Sequence, residues 1–452
     1  LLPLLIFAFI QGVLLIDVTL HDPRVGYDVW QHLTYVARLS KFEFPGPRET
    51  HEFFSPPLPY VVPAVAEAEG LSYWWAAKAG QFANLAYSIG LCICVLKICD
   101  LISPGSVLLQ FWSLALLSII PVYYKSFSMV RGEPLLSFLA VASVYCAMRA
   151  YRKTPRRPRD FAVLGVLLGL AILSRQWAFF LFPALAIYAV TLPAPSLTGR
   201  MFNLMPLVLA FAIASVVGGW FYLNLHHRFG RVTAFNQPQP RWSLANEGAR
   251  FYFGLGLKSV FSDPISPAFA NELIPTFYSE FWGDYECYFV IYGSRGYGNF
   301  FQGSELVDLL KNDPSLKTFE SNRFRIARWL GLAQAAAIVP SALFVAGVIM
   351  GIAALFGRGN GDRADGLLAL VVVTSMVGYL WFLIGFPSPT GNTIKATYML
   401  QIVPLLAILG ARMLLSIRDR SPTSYKVIVG FVALSAILNA PLLFTRYVFL
   451  PW

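Results

Sequence analysis

The chain has 452 residues; 57% are hydrophobic and 15% aromatic, only 13% carry charge, and the mean hydropathy is +0.59. This composition excludes a soluble globular domain and defines a polytopic membrane protein. The net charge of +11, from 35 basic and 24 acidic residues, does not call for nucleic acid, because the basic residues cluster in short loops, where they orient spans in a bilayer.

Apolar runs long enough to cross a hydrocarbon core recur to the C-terminus, which predicts an all-α bundle of about eleven transmembrane helices rather than a barrel. The spans are predicted near 1–16, 73–98, 106–124, 132–150, 161–174, 176–192, 204–225, 327–356, 366–386, 397–416 and 427–444. No methionine opens the sequence, so the run at 1–16 reads as a clipped first span, with a signal peptide as the alternative.

Between the first two spans lies a polar, Pro-rich interval, about Asp17 to Leu71, with eight of the acids and three of the five histidines. Acids and imidazoles gathered beside a membrane suit proton transfer. Val29, Leu33, Val36 and Leu39, with Trp30, have the spacing of a short helix from Asp28 to Leu39 lying on the bilayer surface. On that helix Asp28 and His32 share a face. The stretch HEFFSPPLPY (51–60) has too much proline to continue a helix and is expected to be an ordered, extended loop.

Ser174, Arg175 and Gln176 interrupt the apolar run at 161–192, which is short for two full spans. The loop MRAYRKTPRRPRD (148–160) is the most basic in the chain and is expected to be cytoplasmic. Alternation then puts the weaker basic loops at Arg200, at Arg358 and Arg363, and at Arg418, Arg420 and Lys426 on the same side. The other side collects 19 of the 24 acids, in the first loop, at Glu133 and between Glu247 and Glu320. Three regions follow: an N-terminal transmembrane bundle, 1–225, with a catalytic first outer loop at 17–72; a mixed outer segment, 226–325, read as an ordered lid with a helix near 303–311; and C-terminal transmembrane helices, 326–452. Cys92, Cys94, Cys99 and Cys146 read as small apolar core residues, and Cys287 has no evident partner, so no disulfide framework is expected. A Gly-rich nucleotide loop is absent from the sequence, which argues against a cytoplasmic nucleotide-driven engine.

Three further outer connections, YYKSFSMVRGEP (123–134), SRQW (174–177) and FPSPTGNTIKATY (386–398), bring Lys125 and Arg131, Arg175, and Lys395 to the outer edge. Cations there without an acid of their own invite an anionic ligand, and phosphate matches guanidinium and ammonium donors. Snorkelling to lipid headgroups is the competing reading for each, and Glu133 could simply orient Arg131. Transfer from a phosphorylated lipid needs a base for the acceptor hydroxyl and cations for the departing phosphate, and this face offers both. Asp28 with Glu52 or His51 could also hold a divalent metal ion, although no ligand spacing compels one.

The order GYDVWQH (26–32), HEFFSPPLPY (51–60), RGEP (131–134), LSRQWAFFLFPAL (173–185) and GNTIKATYMLQIVPLL (391–406) resembles the GT-C membrane glycosyltransferases, in particular the protein O-mannosyltransferase and aminoarabinose-transferase branch. The resemblance covers the bundle and first loop, about three quarters of the chain. It implies a GT-C-like bundle with interfacial helices in the first outer loop, and a polyprenyl phosphate sugar as donor. The acceptor would be a protein, lipid or glycan, at the periplasmic or extracellular face of the inner membrane. It makes Asp28 the catalytic base, with Glu52 and His51 beside it, and assigns Arg131, Arg175, Lys395, Tyr398 and His32 to substrate binding. Many relatives carry an Asp-Glu pair where this chain has Asp28 and Val29, so Glu52 or His32 would supply the second group. Two other classes remain in competition: a transporter or lipid flippase, which would place charges at mid-membrane, and a non-catalytic membrane assembly subunit.

Overall fold

The structure is a computed structural model that describes residues 1–24, 26–153, 155–193, 196–233, 235, 239–269, 271–286, 326–357 and 362–444. The helix expected at 303–311 and Cys287 lie outside the described residues. Within them, secondary structure is helical throughout, and the protein is an integral, multi-pass, all-α membrane protein.

The helices are α1 (Leu2–Leu20), α2 (Val29–Leu39), α3 (Val61–Ala68), α4 (Tyr73–Ile102), α5 (Val107–Ser118), α6 (Pro121–Phe127), α7 (Glu133–Arg152), α8 (Pro158–Ile172), α9 (Leu181–Thr191) and α10 (Met205–Phe229). After α10 come α11 (Leu273–Trp282), α12 (Ile326–Ala354), α13 (Asp362–Gly385), α14 (Val403–Arg420) and α15 (Pro422–Asn439). Among the described residues eight helices are long and apolar enough to cross a membrane, or nine if the bent pair α5 and α6 forms one span. Nine of the eleven segments read from the sequence overlap one of these helices or the bent pair. The pieces at 158–172 and 176–191 are too short to count by length alone.

α7 lies at the centre, its apolar residues buried on nearly every side, while α1, α4, α10 and α15 turn most of their surface outward. Small residues bring α8 and α10 into close contact: a Cβ at Gly169 would stand 2.5 Å from Val217, and one at Gly218 2.5 Å from the Gly169 carbonyl oxygen. That is the packing expected where helices associate without a hydrophobic drive between them.

The helices that carry the site are interrupted, and each interruption has a sequence cause. Pro121 follows the break between α5 and α6, which meet at a 71° bend. Arg175 is extended (φ −159°, ψ 151°) between α8 and the 3-10 turn Gln176–Phe180. A second 3-10 turn, Ala396–Ile402, starts from extended Lys395 and precedes α14, whose Pro404 sits in the first turn. The breaks at Arg175 and Lys395, the turn after α6 and the first loop meet at one end of the bundle. At the opposite end Arg156 Nη1 donates to Asn203 Oδ1 (2.8 Å) and Arg363 Nη1 to the Thr191 carbonyl (2.6 Å), which ties the basic loops together.

The first loop is anchored from below. Lys78 Nζ donates to the carbonyls of Val18 (2.7 Å), Thr19 (3.1 Å) and His21 (2.6 Å), so an ammonium satisfies the last carbonyls of α1. α2 begins where expected, but Asp28 is its N-cap, in the left-handed region (φ 53°), and so lies outside the helical face predicted for it.

Candidate active site

The turn at 26–28 sets the geometry. Gly26 has φ +131°, and a Cβ there would meet Met129 Sδ at 2.4 Å, so only glycine fits. Asp28 follows in a conformation that Asp and Asn tolerate better than other side chains. The turn directs its carboxylate at Lys395, whose Nζ donates to Oδ2 at 2.7 Å.

A second set of charges stands beside this pair. Arg131 Nε donates to Glu133 Oε2 (2.7 Å) and its Nη2 to Oε1 (3.0 Å). Arg175 reaches the same carboxylate through Nε (2.9 Å) and reaches Glu52 Oε2 through Nη1 (2.9 Å), which also donates to Ser55 Oγ (2.6 Å). Ser55 Oγ in turn donates to Glu52 Oε2. The result is an alternating row, Glu52, Arg175, Glu133, Arg131, with each member almost fully buried. The RGEP turn and the 174–175 break are interlocked: a Cβ on Gly132 would lie 2.5 Å from the Ser174 carbonyl oxygen and 2.7 Å from Arg175 Cγ.

Two tyrosines join the sets. Arg131 Cζ lies 5.8 Å from the Tyr27 ring and 5.7 Å from the Tyr398 ring; Lys395 Nζ lies 5.2 Å and 5.8 Å from the same rings. Arg131 and Lys395 therefore flank the same two rings, and Arg131 shares Glu133 with Arg175. The expectation that these cations lack acids of their own is corrected: Arg131 and Arg175 share Glu133, Lys395 holds Asp28, and Lys125, buried away from the cavity, lies 3.8 Å from Glu280 and 3.7 Å from Asp284. Charge buried in a medium of low dielectric needs a partner, and the fold supplies one for each.

A cavity of about 190 Å3 opens over this arrangement. Asp28, His51, Glu52, Arg175, Lys395 and Tyr398 give it a polar lining, and Phe54, Trp177, Phe235, Phe382 and Phe386 an aromatic one. His51 is exposed, and its backbone N–H donates to Gln31 Oε1 (2.7 Å). Two residues assigned to substrate binding from the sequence do not line the cavity. Arg131 sits behind it, with Nη1 left without a hydrogen-bond partner. His32 is buried with Nδ1 2.7 Å from Tyr60 OH and 3.9 Å from Glu52 Oε2, because α2 presents its apolar face, His32 included, to α3. Gln31 and Ser55 line the cavity and were not singled out by sequence reasoning, although both lie inside the recognised motifs. Glu280 carried no signal.

Burial raises the Asp28 carboxyl, but the Lys395 ammonium beside it, with lesser help from His32 and Arg131, holds it well below the usual carboxylate range. Burial likewise opposes ionisation of Glu52, and Arg175 with the His32 ring offsets it, so Glu52 is also lowered. His32 is pulled down to about 4 by burial, which outweighs the attraction of Glu52. At neutral pH the three carboxylates Asp28, Glu52 and Glu133 balance the three cations Arg131, Arg175 and Lys395, and His32 is neutral.

Among the described residues no group of three or more His, Cys, Asp or Glu is disposed to hold a metal ion, and the two carboxylates at the cavity are each engaged by a cation.

Residues 79–220 match a family described as dolichyl-phosphate-mannose-protein mannosyltransferase. That stretch carries Arg131, Glu133 and Arg175 but neither Asp28 nor Lys395. Among solved structures, the apo oligosaccharyltransferase of Archaeoglobus fulgidus is similar over 98% of this chain and 56% of its own, at 13% identity and a TM-score of 0.52. The same enzyme tethered to an acceptor peptide containing the NVT sequon gives 12% identity, 97% and 56% coverage and a TM-score of 0.50. ArnT from Cupriavidus metallidurans in the apo state gives 14% identity, 93% and 79% coverage and a TM-score of 0.40. No curated protein sequence matches the chain significantly. In fold the chain is similar to the Archaeoglobus fulgidus oligosaccharyltransferase, and the matched stretch is similar to the mannosyltransferase family. The chain spans about half the length of the oligosaccharyltransferase chains it matches.

Proposed function

We propose that the chain is a glycosyltransferase that moves a sugar from a polyprenyl-phosphate-linked donor to an acceptor at the outer face of the membrane. The observation that carries this reading is the shared cavity: a carboxylate, Asp28, lines the same space as Lys395 and Arg175, together with five aromatic side chains. The family match over 79–220, described by a dolichyl-phosphate-mannose donor, supports the donor class. The likeness to an oligosaccharyltransferase structure holding an acceptor peptide supports protein among the candidate acceptors, beside lipid and glycan.

Before substrate arrives the polar lining is neutral, so a phosphate must displace an acid from a cation. Lys395 is the most accessible cation, its side chain 12% exposed and its partner Asp28 41% exposed. A donor phosphate on Lys395 releases the Asp28 carboxylate and returns it towards ordinary basicity at the moment an acceptor hydroxyl needs a base. Arg175 is fixed by Glu52, Ser55 and Glu133 and contributes a preorganised positive charge where the leaving phosphate gathers negative charge. The aromatic lining receives the first apolar units of the polyprenyl chain. A single displacement with Asp28 as base inverts the anomeric carbon.

The test is donor turnover. Purified protein given dolichyl phosphate mannose should release or transfer mannose, and Asp28→Asn should not. Turnover unchanged in Asp28→Asn would overturn this reading.

A further inference from the structure

The long segment after α10 matches none of the motifs above, yet one of its carboxylates reaches the turn that carries Asp28. The Tyr27 hydroxyl donates to Glu280 Oε2 on α11, and both side chains are fully buried. The other oxygen of Glu280, Oε1, accepts from the backbone N–H of Glu286 at 3.0 Å. The carboxylate is thus held at both ends.

α11 itself is fixed to the bundle. Lys125 Nζ donates to the carbonyl of Gly283 (2.6 Å), Ser279 Oγ to Gln334 Oε1 (3.0 Å), Tyr278 OH to the Gln334 carbonyl (2.7 Å) and Trp282 Nε1 to Ser341 Oγ (2.8 Å). Glu280 is therefore presented to Tyr27 by a helix attached to both α6 and α12. Tyr27 precedes a residue in the left-handed region, in a turn where Gly26 already has no room for a side chain. Such a backbone persists only where its surroundings hold it.

We infer that Glu280 is a positioning residue: by accepting the hydrogen bond of the Tyr27 hydroxyl it fixes the 26–28 turn and with it the direction of the Asp28 carboxylate. This inference rests on the transfer reading for its consequence, not for its geometry. The Tyr27 ring, which flanks Lys395 and Arg131, stays in place when only its hydroxyl is removed, so Tyr27→Phe isolates the link.

The experiment uses the full chain in detergent with Tyr27→Phe, Glu280→Ala and the double variant, each confirmed folded by its unfolding midpoint. Hydrogen exchange of the peptide containing Tyr27 to Val29 should rise to a similar extent in all three. With dolichyl phosphate mannose as probe, kcat should fall about 10- to 100-fold at unchanged KM. The double variant should be no worse than the more damaged single, as two ends of one contact require. Glu280→Gln keeps an acceptor oxygen and should recover most of the loss, which also covers the case in which Glu280→Ala does not fold. Exchange at 27–29 that stays at the wild-type rate, or losses that multiply in the double variant, would overturn the inference. If the wild type releases no mannose, the donor reading fails, and the exchange measurement still decides the role of Glu280.

Discussion

Lys395 Nζ and Asp28 Oδ2 stand 2.7 Å apart in the polar lining of the cavity, so the proposed base and the most accessible cation neutralise each other in the free protein. Asp28→Asn is a clean probe of this pair, because Asn tolerates the left-handed backbone at 28 and keeps a hydrogen-bonding oxygen for Lys395. Transfer should fall by about 10²–10⁴-fold, with the unfolding midpoint and donor binding retained. Asp28→Ala should lose stability as well, since alanine is less suited to that backbone.

Lys395→Met removes the other half. Donor affinity should drop about tenfold or more, the value of one charge-assisted hydrogen bond to phosphate. The acid limb of the rate profile should move to higher pH, because Asp28 loses the ammonium that keeps its carboxyl low. A limb that stays in place would mean that a different group titrates.

Arg175 is the centre of the buried row, and its removal leaves Glu52 and Glu133 facing each other without a cation between them. Arg175→Met should destabilise the protein by about 3–5 kcal/mol, read as a lowered thermal midpoint in detergent. Adding Glu52→Gln should restore part of that loss but not activity. A midpoint unchanged in Arg175→Met would show that the row contributes nothing to stability.

His32 gives a stability signature that only a variant of His32 itself can isolate, because burial also raises carboxyls into the same pH window, Glu286 to about 7 among them. Its folded pKa, about 4, lies below the ordinary histidine value near 6.5, so the unfolded chain binds more protons between those limits. Its contribution is fully present above about pH 6.5 and is lost as pH falls towards 4, by up to about 3 kcal/mol. Glu52 and Asp28, both lowered, matter only below that window. His32→Asn can keep the bond to Tyr60 without titrating, and should flatten the fall in midpoint between pH 6.5 and 4. Equal slopes in both proteins would rule out His32 as the source.

Orientation is open to direct labelling. Glu43→Cys, in the exposed first loop, should react with a membrane-impermeant thiol reagent in intact cells, and Arg157→Cys only after lysis. The reverse pattern would place the cavity on the cytoplasmic side.

Much of this molecule was legible in the sequence, for definable reasons. Hydropathy located the spans, because the bilayer imposes a length on every one of them. Alternation of those spans brought Asp28, Arg175 and Lys395 to one end before any contact was known. The interruption at Ser174 to Gln176 was visible as polar residues in an apolar run, and it is the break that delivers Arg175. What stayed hidden was pairing. Nothing local to GNTIKATY says that Lys395 will find Asp28, and nothing in FYSEFW says that Glu280 will reach Tyr27, because such contacts depend on which helices pack together. The left-handed turn at Asp28 was missed because the apolar spacing from Val29 onward fits a helix that starts at either residue.

The 367 residues that separate Asp28 from Lys395 have a consequence for biosynthesis. At about 5–20 residues per second, the ribosome needs tens of seconds after inserting the first loop before it supplies the lysine. Through that interval Asp28 lacks Lys395 and the pocket lacks its closing wall, so on the proposed reading a nascent chain already seated in the membrane would not yet act on its prospective substrates. Competence arrives with the last few helices. A truncated product released before Lys395 is made would be an inserted but inert protein.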